Sequence, residues 1–167
     1  GLAEVGQAIR LQPDRAIGYV FRAVILSLAG RVDEAIVALE NLPAQSHIAE
    51  SVYLRTELAL GKLDYDDALA TLENYPDYVP EQFADSSRWL YHAQIVHLRD
   101  GPEAAAPFYE RAIAIIGAEV DRRPDDANPT ALLGVALAAS GRHDEGIALG
   151  RQALTMVPAD RDLWQRD

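Results

Sequence analysis

The 167-residue sequence has no cysteine, which excludes disulfides, cysteine-ligated zinc and thiol nucleophiles. It also lacks any apolar run of the ~20 residues that a membrane-spanning helix needs. Basic residues are scarce, since 15 Lys and Arg stand against 26 Asp and Glu, and the formal net charge is -11. Such a surface repels phosphate groups, so we expect neither nucleic acid nor membranes as partners.

The start of the chain carries no targeting signal. Residues 1–4 read GLAE, with no initiator Met and no basic segment followed by an apolar one. We therefore expect a piece of a longer protein. The absence of cysteine is compatible with a reducing compartment, and we expect a cytoplasmic location.

An internal repeat is present. Residues 38–43 read ALENLP and residues 71–76 read TLENYP, and the acidic stretch before each copy leads to Ala35 or Ala68, 33 residues apart. A period of about 34 residues with small, aromatic and proline positions in fixed order is typical of helix–turn–helix repeats. The fourth copy keeps this order from Thr130 through Leu137 and Gly141 to Pro158.

The sequence therefore resembles the tetratricopeptide repeat family. The resemblance implies an all-α fold, a right-handed α-solenoid of antiparallel helix pairs, in one domain spanning residues 1–167. Its predicted parts are the second helix of a truncated repeat at 1–14, repeats at 16–43, 46–76, 81–123 and 127–158, and the start of a further repeat at 160–167.

Small residues at fixed positions predict where the two helices of each repeat cross, because close helix packing leaves no room for larger side chains. The first helices offer Ala23, Thr56, Ala93 and Gly134, and the second helices offer Ala35, Ala68, Ala105 and Gly146. Gly30 and Gly141 are predicted to form the turns between helices.

Two junctions are longer than the family pattern. The stretch 77–80 predicts an irregular connection, and the second helix of the third repeat is predicted to run on to about Arg122, with a kink at Pro107. Gly146 and Gly150 replace the usual alanine and aromatic residue.

A second, narrower resemblance covers residues 78–167. This stretch is similar to the repeat region of large bacterial regulatory proteins. The segments that carry the similarity are RPDD at 123–126, LLGVAL at 132–137 and GRQAL at 150–154. In these proteins such repeats follow a serine/threonine kinase, adenylate cyclase or transcription-regulator domain. This resemblance implies a regulatory or scaffolding part of a larger bacterial signalling protein.

No pattern of catalytic or metal-binding residues emerges. His92 and His97 are five residues apart, which is not the spacing that places two ligands on one helix face. We predict that His92 and His143 pack in the interior. His97 is predicted to lie on the inner surface of the solenoid. Asp64, Asp66 and Asp67 predict a helix N-terminus, because the glycine of a calcium loop is missing. We expect no enzyme activity, metal or cofactor.

Arg22 and Arg55 share one position in successive repeats. An anion-binding ladder is one interpretation, and internal ion pairs are the one we favour, because this position is predicted to face the interior.

In this family the first helices line a binding groove. Transferring those positions predicts a peptide- or protein-binding groove of eleven residues: Ile17, Val20, Val24, Glu50, Tyr53, Glu57, Leu90, Gln94, His97, Asn128 and Val135. None is Lys or Arg, so a clamp for a partner's terminal carboxylate is not expected. An apolar lining with two Glu suits a basic amphipathic segment.

The sequence thus predicts a protein-interaction module that binds a peptide or helix. A structural segment that self-associates through its terminal repeats is the alternative, and an enzyme is the third possibility.

Overall fold

The computed structural model describes residues 1–43, 49–73, 75–80 and 85–157, except for the side chains of residues 49 and 50. The chain divides into two compact units, Gly1–Tyr75 and Pro76–Asp167. The predicted start of a further repeat at 160–167 lies outside the described residues.

Every regular element in the described part of the chain is a helix. The first unit contains α1 (Leu2–Leu11), α2 (Ala16–Leu28), α3 (Val32–Glu40), α4 (Ala49–Gly61) and α5 (Tyr65–Leu72). The second contains α6 (Arg88–Asp100), α7 (Pro102–Arg122), α8 (Ala127–Ala139) and α9 (His143–Met156). One isolated antiparallel bridge joins Val79 and Ser86, and no sheet is built from the residues described.

The helices pack as successive pairs. Contacts join α2 to α3, α4 to α5, α6 to α7 and α8 to α9, and neighbouring pairs meet through α1–α2, α3–α4 and α7–α8. Each pair falls inside one predicted repeat range. The predicted all-α fold of paired helices is confirmed.

The crossings within these pairs lie at the predicted small residues. Ala23, Ala35, Ala68, Ala93 and Ala105 are completely buried. Thr56 is buried as well. Its hydroxyl donates to the Val52 carbonyl of its own helix, so the buried hydroxyl has a hydrogen-bond partner. In the first unit the crossing continues into a core cluster with Leu26, Leu39 and Leu58.

The α8–α9 crossing explains why Gly146 replaces alanine. A Cβ atom on Gly134 would lie 2.9 Å from the Gly146 carbonyl oxygen, and one on Gly146 would lie 2.6 Å from the Gly134 carbonyl oxygen. Gly134 also approaches Gly150, and Gly146 approaches Ala138, which is the order of an antiparallel pair. The two backbones are therefore in direct contact. Gly150 itself has open space where a Cβ would be.

Three of the four turns close with the same hydrogen bond. Gly30 at φ 73° and Gly141 at φ 93° lie between helices, and each following N–H donates to the carbonyl five residues back, Arg31 to Leu26 and Arg142 to Leu137, both at 2.9 Å. The predicted turn glycines are confirmed. In the α4–α5 turn the same position holds Leu63 at φ 59°.

The two long junctions of the third repeat pack against one another. Asp85, in the connection before α6, has a fully buried side chain that accepts hydrogen bonds from Arg123 at 2.7 Å and from the Tyr78 hydroxyl. Arg123 follows α7 directly and also pairs with Asp126 at 2.8 Å. Burial, with the hydrogen bond to Asp85, raises the pKa of Tyr78 above its ordinary value. Glu119 of α7 lies 3.8 Å from Arg123 as well. These side chains form one polar cluster, the Asp85 cluster: Tyr78, Asp85, Glu119, Arg123 and Asp126.

The predicted long helix is confirmed, since α7 runs for 21 residues to Arg122. Pro107 lies inside it on the exposed side, where water can satisfy the carbonyl that loses its partner. The helix continues through this residue, and the kink stays a prediction.

Candidate interaction surface

The predicted groove residues of the first unit lie on α2 and α4, which contact each other. Ile17, Tyr53 and Glu57 are exposed. Val24 is half-buried and packs against the core cluster. The Glu50 side chain lies outside the described residues. This unit therefore offers two apolar side chains and a carboxylate on neighbouring first helices.

The predicted groove residues of the second unit lie on α6 and α8. Val135 is 51% exposed, and Gln94 and Asn128 are half-buried. His97 is also half-buried, with Nδ1 3.2 Å from the Tyr109 hydroxyl and its ring edge-on to that of Tyr109. Burial raises the pKa of Tyr109, so this hydroxyl stays protonated. His97 is held by its own helix pair.

Two predicted groove residues are not on the surface. Val20 is 6% exposed and belongs to the core cluster with Ala23 and Leu26, because α2 turns this side toward α3 and α4. Leu90 is 4% exposed, and α6 buries Ala93 and Ile95 as well. Their predicted exposure is wrong, because the face that a helix buries depends on all of its neighbours.

Phe21 and Leu28 are surface residues that the sequence analysis missed. They are 55% and 85% exposed, and they follow Ile17 along one side of α2. The signal was present in the sequence. Among its 13 residues α2 has one charged side chain, Arg22, so it lacks the polar outer face of an ordinary surface helix.

The histidine predictions have a mixed outcome. His92 is half-buried, with its ring 4.2 Å from that of Phe108 and 5.7 Å from that of Trp89. Burial lowers the pKa of His92, which favours the neutral ring. His143 is exposed in the first turn of α9, so the packing position predicted for it is wrong.

The arginine predictions also divide. Arg55 is half-buried and pairs with Asp67 at 3.2 Å and with Glu40 at 3.6 Å, as the ion-pair interpretation requires. Arg22 is exposed, so its predicted interior position is wrong. Asp64 caps α5 by accepting from the Asp67 backbone N–H at 3.1 Å, which confirms the helix N-terminus.

Two further observations concern metal ligands and membrane-spanning helices. Within the described ranges, no group of three or more His, Asp or Glu side chains lies close enough together to hold a metal ion. None of the helices found there is both long enough and apolar enough to cross a membrane.

Comparisons with known proteins agree with this architecture. The family model described as tetratricopeptide repeat matches residues 104–161. No curated protein matches the sequence significantly. The fold is similar to the crystal structure of TTC0263, a thermophilic TPR protein in Thermus thermophilus, with a TM-score of 0.61, 21% identity, and coverage of 97% of this chain and 84% of that one.

A second similar fold is the crystal structure of MamA, with a TM-score of 0.52, 16% identity, and coverage of 93% of this chain and 85% of that one. At these identities the likeness concerns the fold alone. The match at residues 104–161 includes most of α7 and all of α8 and α9. Residues 104–161 thus match the tetratricopeptide repeat model, and the fold of the chain is similar to that of a solved tetratricopeptide-repeat protein.

Proposed function

We propose that this chain is a protein-interaction module that holds a peptide or helix of a partner on its first helices. The observation that carries the proposal is the apolar surface of those helices, with Ile17 and Tyr53 exposed in the first unit and Val135 in the second. Burial of apolar side chains contributes about 25 cal/mol per Å², part of which offsets the entropic cost of association, so these side chains are the expected anchors. The shared fold supports an interaction role of this general kind.

The proposed partner segment is basic and amphipathic. Glu57 is exposed beside the apolar side chains of α4, and the formal net charge of the chain is -11. Charge of this sign selects a basic partner and speeds encounter more than it strengthens the bound state. The affinity should therefore fall only modestly as salt rises.

The proposed wider role is regulatory or scaffolding, in the cytoplasm, within a larger bacterial protein. Binding at equilibrium would need no catalytic step and no cofactor. Self-association through the terminal repeats remains the second candidate, favoured by the exposed Leu154 and Ile147 on α9. Light-scattering mass across a concentration series separates the two, because only self-association raises the mass with concentration.

The test of partner binding uses Tyr53→Ala together with Ile17→Ser, both in the first unit. Both side chains are exposed, so helicity measured by circular dichroism should not change. Partners are captured by a photo-crosslinker placed at Glu57, from lysate of the source organism, and the crosslinked segment is identified. Loss of these crosslinks in the double variant supports the proposal. Identical crosslinks in both proteins contradict it.

A further inference from the structure

We propose that three side chains of α2 form the docking ridge for one helix of a partner protein, with basic residues at one end of that helix. The three, Ile17, Phe21 and Leu28, are called the α2 ridge. This inference rests on the proposed function and specifies where and in what conformation the partner binds.

The spacing of the α2 ridge favours a helical partner. Residues 17, 21 and 28 fall within about 40° of one another around α2, and they span roughly 16 Å along its axis. This is a straight apolar line parallel to a helix, which another helix can follow over three turns with residues spaced three and four apart. An extended segment would place alternate side chains away from the line.

The surroundings of the α2 ridge leave it open. Arg22, the charged residue of α2, lies about 120° around the helix from the ridge. Val24 lies beside the ridge but packs into the core cluster, so the ridge stands on a firmly held helix. The side chains of Phe21 and Leu28 gain little from folding while they remain more than half exposed.

The end of the α2 ridge near Leu28 is surrounded by acidic residues. Beyond Leu28 the chain turns into α3, whose first turn holds Asp33 and Glu34, and the last turn of α2 has no basic residue. Lys62 bonds Asp33 at 2.9 Å, which places the α4–α5 turn beside this edge.

The carboxylates at the start of α5 therefore also lie near the Leu28 end of the α2 ridge. Asp33, Glu34, Asp64 and Asp66 are exposed there. Three exposed cations accompany them: Arg31 pairs with Glu34, Lys62 pairs with Asp33, and Arg22 helps to lower the pKa of Glu34. The carboxylates outnumber the cations, and the end of the α2 dipole is negative. The partner helix should carry its Lys or Arg residues at the end that lies near Leu28.

The experiment selects binders from a displayed library of random 16-residue peptides against the whole chain. We expect enriched peptides with apolar residues three and four apart and basic residues toward one end. Phe21→Ser should weaken their binding at least about tenfold, as for a central apolar anchor. Val37→Ser, a similarly exposed apolar residue on the second helix α3, is the matched control and should leave their affinity unchanged.

A second variant tests the charged end. Asp33→Asn with Asp64→Asn keeps a capping side chain at the start of α5 and removes two carboxylates. It should weaken basic peptides severalfold at low salt. Undiminished binding of the basic peptides contradicts the assignment of charge.

The remaining outcomes are distinguishable. Peptides that ignore Phe21→Ser but are lost with Tyr53→Ala overturn the ridge and leave the proposed function standing. Enriched peptides that contain prolines at the contacts overturn the helical conformation. A dimer that Phe21→Ser dissociates identifies a second copy as the occupant and overturns the proposal. The absence of any enriched peptide contradicts both the ridge and the proposed function.

Discussion

At the scale of single residues, the backbone angle of Leu63 is the clearest departure from what its side chain favours. Its φ of 59° is in the left-handed region, where the matching turns have Gly30 and Gly141. The side chain is 71% exposed, so its packing offsets little of the backbone strain. The energetic cost at this position is therefore avoidable.

Leu63→Gly should make the protein more stable. Relief of about 1–2 kcal/mol of left-handed strain exceeds the roughly 0.4–1 kcal/mol of extra unfolded-state entropy that glycine brings. The measurement is the free energy of unfolding from urea titration. The reverse change, Gly30→Leu, should cost about 1–2 kcal/mol. A less stable Leu63→Gly would show that the leucine side chain has a stabilising contact.

A second residue-scale prediction separates two glycines of α9. Gly146→Ala should destabilise by about 1–3 kcal/mol, because the new methyl group meets backbone atoms that cannot move independently. Gly150→Ala should stabilise by roughly 0.5–1 kcal/mol, since the site is open and alanine favours helix. Thermal unfolding of both variants measures the difference. Equal effects would mean that the α8–α9 crossing is looser than described.

Residue-level prediction succeeded where local steric rules decide. The small crossing residues, the glycine turns and the end of α7 follow from such rules and could be predicted. The exposure of Val20 and Leu90 could not, because which side of a first helix remains open depends on the helices packed around it. Leu63 in a left-handed turn was also unpredictable, since leucine disfavours that conformation.

At the scale of elements, the connection before α6 is attached to the end of α7 by the buried Asp85. The carboxylate accepts hydrogen bonds from Arg123 and from the Tyr78 hydroxyl. Breaking a buried pair from one side is costly, because the remaining charge is left without compensation. The stability of the third repeat therefore depends on a contact outside its helix crossing.

Arg123→Met should cost about 3 kcal/mol, because it leaves Asp85 buried and charged. The double variant Arg123→Met with Asp85→Leu should cost less than Arg123→Met alone, since it removes the buried charge too. Urea unfolding of the single and double variants completes the cycle. Strict additivity of the two changes would mean that the pair is not coupled.

The aromatic packing of His92 gives an element-scale pH prediction. Burial lowers the pKa of His92 in the folded state, whereas the unfolded residue has a pKa of about 6.5. Between the unfolded and the folded pKa, the unfolded chain therefore binds more protons than the folded chain. As pH falls through this interval, the stability due to neutral His92 is lost. The loss should begin near pH 6.5 and continue toward the lower folded pKa.

The measurement compares urea midpoints at pH 7.5 and 5.5 for the natural chain and for His92→Phe. Phenylalanine keeps a ring beside Phe108 and Trp89 but cannot titrate. The difference between the two pH values should be smaller in the variant. An equal difference in both proteins would assign the acid sensitivity to other groups.

At the scale of the whole molecule, the division into Gly1–Tyr75 and Pro76–Asp167 governs how far damage spreads. In repeat proteins each helix pair depends mainly on its neighbours. A packing defect should therefore be felt most strongly in the unit that contains it. This can be resolved by hydrogen exchange, which reports on each helix separately.

Ala35→Leu and Ala68→Leu should each overpack a helix crossing in the first unit and cost roughly 1–3 kcal/mol. Both alanines are fully buried. Amide protection should fall throughout α2–α5 and change less in α6–α9. Melting temperatures equal to that of the natural chain would show that these alanines do not lie at close crossings.

The Asp85 cluster also has a consequence for how such a repeat can be inherited or transplanted. The segment before α6 supplies the carboxylate, and the segment after α7 supplies the cation, although 38 residues of chain separate them. Recombination that exchanged one junction alone would leave either a buried Asp85 carboxylate without its arginine or Arg123 without its carboxylate. Both junctions must therefore move together with the intervening helix pair, as one segment from Tyr78 to Asp126.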